Sequence, residues 1–305
     1  MWQFGVDQIF VHIQHAGWSL VYVIIAWLVI YLLNTLAWRL ALGKHGSDVS
    51  FSKLFTVTVS GFVLNYITPF IAFGGEPYKI KALSGGMDKK QSFSAVVLYR
   101  MVHLLGHMLL LLTGILAALA FLTFPFTVNI ILLILGCLIT GVIALTFSGH
   151  RHGVFERFQR IMSRIPVLQN YESTLREMDV VITDVYRRER SRFYLAIVIE
   201  YLSRVCMGIE VYLILNGAGV ETTIVSAMFI YVVYSIIINI LFFIPLNIGA
   251  REGGLYLGLE TLALPPLLGV YLGVVIRVRE FFWIMLGLLF ILLAPSNKET
   301  SSVNI

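Results

Sequence analysis

The sequence predicts an all-α fold, a polytopic membrane helix bundle of about six to eight apolar segments, some of them broken or re-entrant. Two observations predict it. Of the 305 residues 58% are hydrophobic and only 13% are charged, against roughly 25% charged in a soluble domain. Apolar runs long enough to cross about 30 Å of hydrocarbon also recur along the whole chain, so a soluble body on one anchor does not account for them.

In order, the runs lie at 17–38, 54–73, 92–122, 127–148, 193–215, 222–245, 250–264 and 267–293. The first follows 16 residues without Lys or Arg and is too long for the apolar part of a cleavable signal peptide. The second is interrupted by Asn65 and Pro69, and 250–264 is short, so these two are marginal spans. Cys137 and Cys206 sit inside apolar runs and read as packing residues. The one strongly polar segment, 149–192, is too short for a separate catalytic domain. The reading is therefore a single integral membrane domain over 1–305, with 149–192 as an amphipathic helical loop within it. In that loop Phe155, Phe158, Met162 and Ile165 share a face flanked by Arg157, Arg160 and Arg164, which suits an anionic lipid surface. Pro166 ends that helix. Leu175, Met178, Ile182 and Val185 then repeat at helical spacing, which also fits a solvated linker hairpin.

Basic residues give the orientation. Seventeen of the 22 Lys and Arg fall in four regions: Arg39 to Lys53, Lys79 to Lys90, Arg151 to Arg192, and Lys298. The N-terminal segment and the turns near 123–128, 216–221 and 264–267 carry none. The positive-inside rule places the four regions in the cytoplasm and the N-terminus outside, in a multi-pass protein of the cell membrane. With basic regions on both sides of it, 54–73 has to enter and leave on one side. It reads as a re-entrant hairpin broken near Asn65 to Pro69, a backbone that survives at that depth only inside protein or beside a wet cavity.

The other five cations, Arg100, Arg204, Arg251, Arg277 and Arg279, lie in or beside apolar runs, as do Glu76, Glu200, Glu210, Glu252, Glu260 and Glu280. A charge at the bilayer centre costs about 3 kcal/mol on insertion scales, so each needs a partner, water or a charged ligand. Glu200 and Arg204 are four apart on one helix, and Arg277 and Glu280 three apart, so both read as local pairs. Arg100 has no acid near it in sequence and must find one on another helix or on a ligand. His103 and His107 lie one and two turns further on and read as core histidines rather than as a metal pair.

Two segments combine these charges with broken helices. One runs Asn65-Tyr-Ile-Thr-Pro-Phe-Ile-Ala-Phe-Gly-Gly-Glu-Pro-Tyr-Lys79; the other runs Pro245-Leu-Asn-Ile-Gly-Ala-Arg251-Glu252-Gly-Gly. Pro69 precedes Glu76, and Pro245 precedes Glu252, by seven residues each. Proline and glycine free backbone groups to meet a polar ligand. Two such breaks of opposed orientation suggest an inverted-topology repeat, with both breaks meeting around one polar cavity. A pair of purely structural kinks is the alternative.

These residues also carry a family resemblance. The run Asn65 to Leu83 and the run Ile244 to Gly254 resemble the two motifs of the transmembrane region of lysylphosphatidylglycerol synthase/flippases. Leu98 to Gly106 and Val275 to Leu289 are similar to two weaker stretches of that family, and the resemblance covers nearly the whole chain. In the best-known members this region moves an aminoacylated phospholipid between leaflets and a soluble aminoacyl transferase domain follows it. The chain ends at Ile305 without that domain, so the resemblance implies a flippase-like protein without the synthase. Tyr99 and His103 stand where the family often has acids. The resemblance carries over to Glu76, Lys79, Arg100, Arg251, Glu252 and Arg277.

The expected function is therefore transport of a charged amphiphile (a phospholipid, an aminoacyl-lipid or a polyprenyl-phosphate-linked lipid) between leaflets. The candidate substrate-binding residues are Asn65, Glu76, Lys79, Arg100, His103, Asn247, Arg251, Glu252 and Arg277. Arginine holds phosphate bidentately and helix ends add N–H donors. No catalytic residue, metal, cofactor or nucleic-acid partner is expected, since the sequence has no Walker loop, HExxH or Cys/His cluster. Two rival classes are an intramembrane transferase acting on a lipid phosphate, with Glu76 or Glu252 as general base, and a non-transporting scaffold whose charges pair only with one another.

Overall fold

A computed structural model of the chain describes residues 6–43, 46, 48–68, 74–84, 88–152 and 189–294. These residues form nine α-helices and no strands: α1 (Val6–Ala41), α2 (Phe51–Ile67), α3 (Gly75–Leu83), α4 (Lys89–Phe121), α5 (Phe126–His152), α6 (Arg190–Gly217), α7 (Ile224–Ile240), α8 (Ala250–Thr261) and α9 (Leu268–Leu293). A 3-10 turn, Pro245–Asn247, lies between α7 and α8. The amphipathic loop expected at 149–192 falls largely outside the described residues, as do Pro69 and Lys298.

Length and composition separate the helices. Within α1, α4 and α5, the spans Trp18–Ala41, Gln91–Phe121 and Phe126–Thr146 are long and apolar enough to cross a bilayer. α6 and α9 are as long but carry several charges each, while α2 and α7 are 17-residue apolar helices. In each of those two a hydroxyl supplies the N-cap: Ser50 accepts from the Lys53 amide at 3.3 Å and Thr223 from the Ser226 amide at 3.1 Å. The chain is a multi-pass membrane protein, and exposed Leu, Ile, Val and Phe along α1, α5 and α9 are the surface such a protein turns to lipid.

Each expected break is a helical hairpin. α3 doubles back on α2, where the Gly75 amide donates to Asn65 Oδ1 at 2.8 Å. A Cβ at Gly75 would run into the carbonyl oxygen of Gly61, so this crossing requires glycine. α8 doubles back on α7, where a Cβ at Gly254 would lie 2.9 Å from Tyr234 Cα. The turn before α8 places Leu246, Asn247 and Gly249 at φ of 54°, 52° and 81°. Positive φ suits Gly249 and is tolerated by Asn247, but it strains Leu246. Within the basic region Lys79 to Lys90, α3 turns Lys79 inward to 3% exposure.

The helix packing has a regular form. Exchanging α1–α4 with α6–α9, in order, maps each closely packed pair onto another. Thus α1·α2 becomes α6·α7, α2·α3 becomes α7·α8, α3·α4 becomes α8·α9, and α2·α9 becomes α7·α4. Likewise α1·α9 becomes α6·α4, α1·α4 becomes α6·α9, and α1·α6 maps onto itself. α5 packs on α4 and has no counterpart among the described residues. The halves interlock closely: Gly287 of α9 sits against Val59 and Val63 of α2, and Ser60 donates to the Gly287 carbonyl at 3.2 Å.

Candidate functional site

Five groups of charges sit inside the bundle. At the first break the side chain of Glu76, in the first turn of α3, accepts from Asn65 Nδ2 at 3.2 Å and from Arg100 Nη1 of α4 at 3.3 Å. At the second break Glu252, in the first turn of α8, accepts from Arg277 of α9 at 2.7 and 3.1 Å and from the Gly249 amide at 2.9 Å. The two pairs occupy equivalent places: each ties a short helix to the long helix that follows. Arg277 therefore pairs with Glu252 and not with Glu280, which corrects the local reading.

Glu280 goes instead to Arg251 of α8, which donates Nη1 to Oε2 at 2.7 Å. Tyr66 of α2 donates its hydroxyl to the same oxygen at 2.7 Å. Tyr66 neighbours Asn65 in sequence, so Glu280 links the two breaks. Arg251 is only 1% exposed and its Nε finds no acceptor among the described residues.

Two further groups lie deeper. Glu200 and Arg204 of α6 pair at 2.9 Å as their spacing predicted, and His103 Nδ1 of α4 lies 2.6 Å from the same carboxylate oxygen. Gly106 admits this carboxylate, since a Cβ there would be 2.8 Å from Glu200 Cγ. Further along α6, Glu210 receives Arg279 at 2.9 and 3.2 Å and the Trp27 indole N–H at 2.9 Å. The Arg279 guanidinium also stacks 3.7 Å from the Trp27 ring centre. Both oxygens of Glu210 are satisfied, and Arg279 Nη1 also lies 3.9 Å from Glu280 Oε1, so this structural pair adjoins the Glu280 group. Sequence reasoning placed Glu210 and Arg279 in apolar runs and gave them no partner. They lie on different helices 69 residues apart, and no local spacing reports that.

One cavity opens beside the first break. It is lined by Phe62, Glu76, Lys79, Val96, Tyr99, Arg100 and His103. Arg100 stands at the mouth with its side chain 54% exposed, while Lys79 lies inside. Of the nine candidate residues, Glu76, Lys79, Arg100 and His103 line this cavity, and Asn65 orients Glu76. Among the described residues the second break contributes none of its lining, and Arg251 and Arg277 pair with Glu280 and Glu252 instead. Asn247 sits on the strained turn, and its side chain bonds to none of the others among the described residues. Tyr99, Phe62 and Tyr66 were missed, because an aromatic residue in an apolar helix carries no signal of its own.

The family model described as lysylphosphatidylglycerol synthase TM region matches residues 1–287. No curated protein and no solved structure matches the chain.

Proposed function

The chain belongs to the lysylphosphatidylglycerol synthase TM-region family, and from that premise we propose that it moves a charged amphiphile between membrane leaflets. The substrate class is a phospholipid, an aminoacyl-lipid or a polyprenyl-phosphate-linked lipid. The observation that carries the reading is the cavity at the first break, where Lys79, Arg100 and Glu76 offer both signs of charge within a bundle whose outer surface is apolar. A head group with phosphate and ammonium or hydroxyl groups has what these side chains lack. The scaffold reading, with every charge internally satisfied, is disfavoured by the buried Glu76 Oε2 and Arg251 Nε, which have no hydrogen-bond partner among the described residues.

The exchange of α1–α4 with α6–α9 supports an inverted-topology repeat in one membrane domain, with α2–α3 as the re-entrant hairpin. In that arrangement the N-terminus is outside, the C-terminus and 149–192 are cytoplasmic, and the basic loop lies on anionic lipid. Single cysteines at Ser84 and Ser148, in a background without Cys137 and Cys206, are expected to label from the cytoplasmic face in sealed vesicles. Labelling of the two from opposite faces would sink the re-entrant assignment.

Transport is tested in proteoliposomes carrying fluorescent phosphatidylglycerol, lysylphosphatidylglycerol or a short polyprenyl phosphate. Dithionite quenching of the outer leaflet reports exchange. At least one lipid is expected to equilibrate faster than in protein-free vesicles, and Glu76→Gln is expected to slow it. Background rates for all three lipids would overturn the proposal.

A further inference from the structure

The cation in the first-break cavity that makes no ion pair among the described residues is Lys79. α3 carries it one turn after Glu76, and Gly61 of α2 makes room for its stem, since a Cβ there would lie 2.5 Å from Lys79 Cε. Its ammonium sits 5.0 Å from the Phe62 ring centre, 5.4 Å from that of Tyr99 and 5.6 Å from that of Trp38. Aromatic faces stabilise a cation but accept none of its three N–H bonds in the ordinary way. Among the described residues Lys79 makes no ion pair and no hydrogen bond. Two more polar atoms of the same wall are buried without a hydrogen-bond partner among the described residues, Glu76 Oε2 and Tyr99 Oη. A buried ammonium without acceptors is costly, and a wall with three unsatisfied groups is the signature of a missing polar ligand.

We infer that this cavity is the receptor for one phosphate group, with Lys79 as its buried charge, Tyr99 as a hydroxyl donor and Arg100 as the group that meets it at the mouth. Two cations and a hydroxyl suit a group with several acceptor oxygens, and the arginine fork adds bidentate contact where lysine acts as a point charge. On binding, Arg100 exchanges Glu76 for the phosphate. That releases the carboxylate, whose second oxygen is already unpaired, toward an ammonium or hydroxyl of the same head group. The phosphate is that of a lipid head group or free inorganic phosphate. The inference rests on the transport reading only for the claim that this ligand is the cargo.

The test uses the full chain in detergent. Dioctanoyl phosphatidylglycerol, dioctanoylglycerol and inorganic phosphate are titrated against its thermal stability. The expected result is stabilisation by the phosphatidylglycerol and none by the glyceride. Stabilisation by inorganic phosphate as well would assign the site to the free anion. Lys79→Met is expected to weaken phosphate-dependent binding by about tenfold or more, the loss of one charge-assisted contact. Without ligand this variant should be at least as stable as wild type, because it removes an unpaired buried charge. If Lys79 were instead a structural partner of Glu76, Lys79→Met would destabilise the unliganded protein. That result, or wild-type phosphatidylglycerol binding by the variant, overturns the inference. Tyr99→Phe should weaken binding without loss of stability, and wild-type phosphatidylglycerol binding by this variant also overturns the inference. Lys79-dependent binding without translocation in proteoliposomes would refute the transport reading and leave the receptor standing. Normal translocation by Lys79→Met would do the reverse.

Discussion

Arg279→Met is expected to remove most of the protein's stability. The substitution keeps a side chain of similar length, but it leaves the Glu210 carboxyl, only 3% exposed, with only the Trp27 indole as donor. Breaking a buried pair by removing one partner costs about 3–5 kcal/mol, and the lost stacking on Trp27 adds about 0.5–2 kcal/mol. A native state held by about 5–15 kcal/mol does not absorb that comfortably. Thermal unfolding in detergent should show a large fall in midpoint and a poor yield of monodisperse protein. The double variant Glu210→Leu, Arg279→Met removes both charges and should recover much of the loss. If the single variant instead melts like wild type, this pair is not what seats α9 against α6.

Arg100→Gln and Arg251→Gln are expected to fail in opposite ways. Arg100 is half exposed at the cavity mouth, where its ion pair with Glu76 contributes about 0–1 kcal/mol. Its loss should therefore leave the melting temperature nearly unchanged and slow lipid translocation tenfold or more, since one charge-assisted bond to phosphate contributes about 1.5–3 kcal/mol. Arg100→Lys should also be impaired, because the ammonium has no planar fork. Arg251 is almost wholly buried on Glu280, and Arg251→Gln should destabilise the fold by about 3–5 kcal/mol before transport can be read. Measuring stability and translocation on the same preparations separates the two. A substrate role for Arg100 fails if Arg100→Gln unfolds the protein or transports normally.

The contrast between these arginines shows what was legible in the sequence. Apolar length reported the fold class, because hydrocarbon thickness sets it. The Pro–Gly–Glu segments reported both hairpins, because helix breaking is local chemistry. Partner choice was not local. Arg277 has Glu280 one turn away yet pairs with Glu252, while Glu280 serves Arg251 and Tyr66. A usable signal did exist: Glu76 precedes Arg100 by 24 residues and Glu252 precedes Arg277 by 25. α3 was hidden for a different reason. Its residues, Gly-Glu-Pro-Tyr-Lys-Ile-Lys-Ala-Leu, read as a basic turn, and counting lysines by side of the membrane cannot distinguish a solvated Lys81 from a caged Lys79.

The interleaving of α1–α4 with α6–α9 has a consequence for how the protein is made. α1 takes α6 as its main companion, and α2 waits for α9, whose Gly287 lies 227 residues beyond Ser60. At a synthesis rate of about 5–20 residues per second, that contact cannot form until roughly 11–45 seconds after Ser60 is made. During that interval Asn34 has neither Ser203 nor Glu200 beside it, and His103 lacks its carboxylate. The early helices must therefore be sheltered by the insertion machinery, or by one another in a provisional arrangement, until the late ones arrive. Ribosome stalling between α5 and α6 should strand a half-chain that the membrane's quality-control proteases destroy.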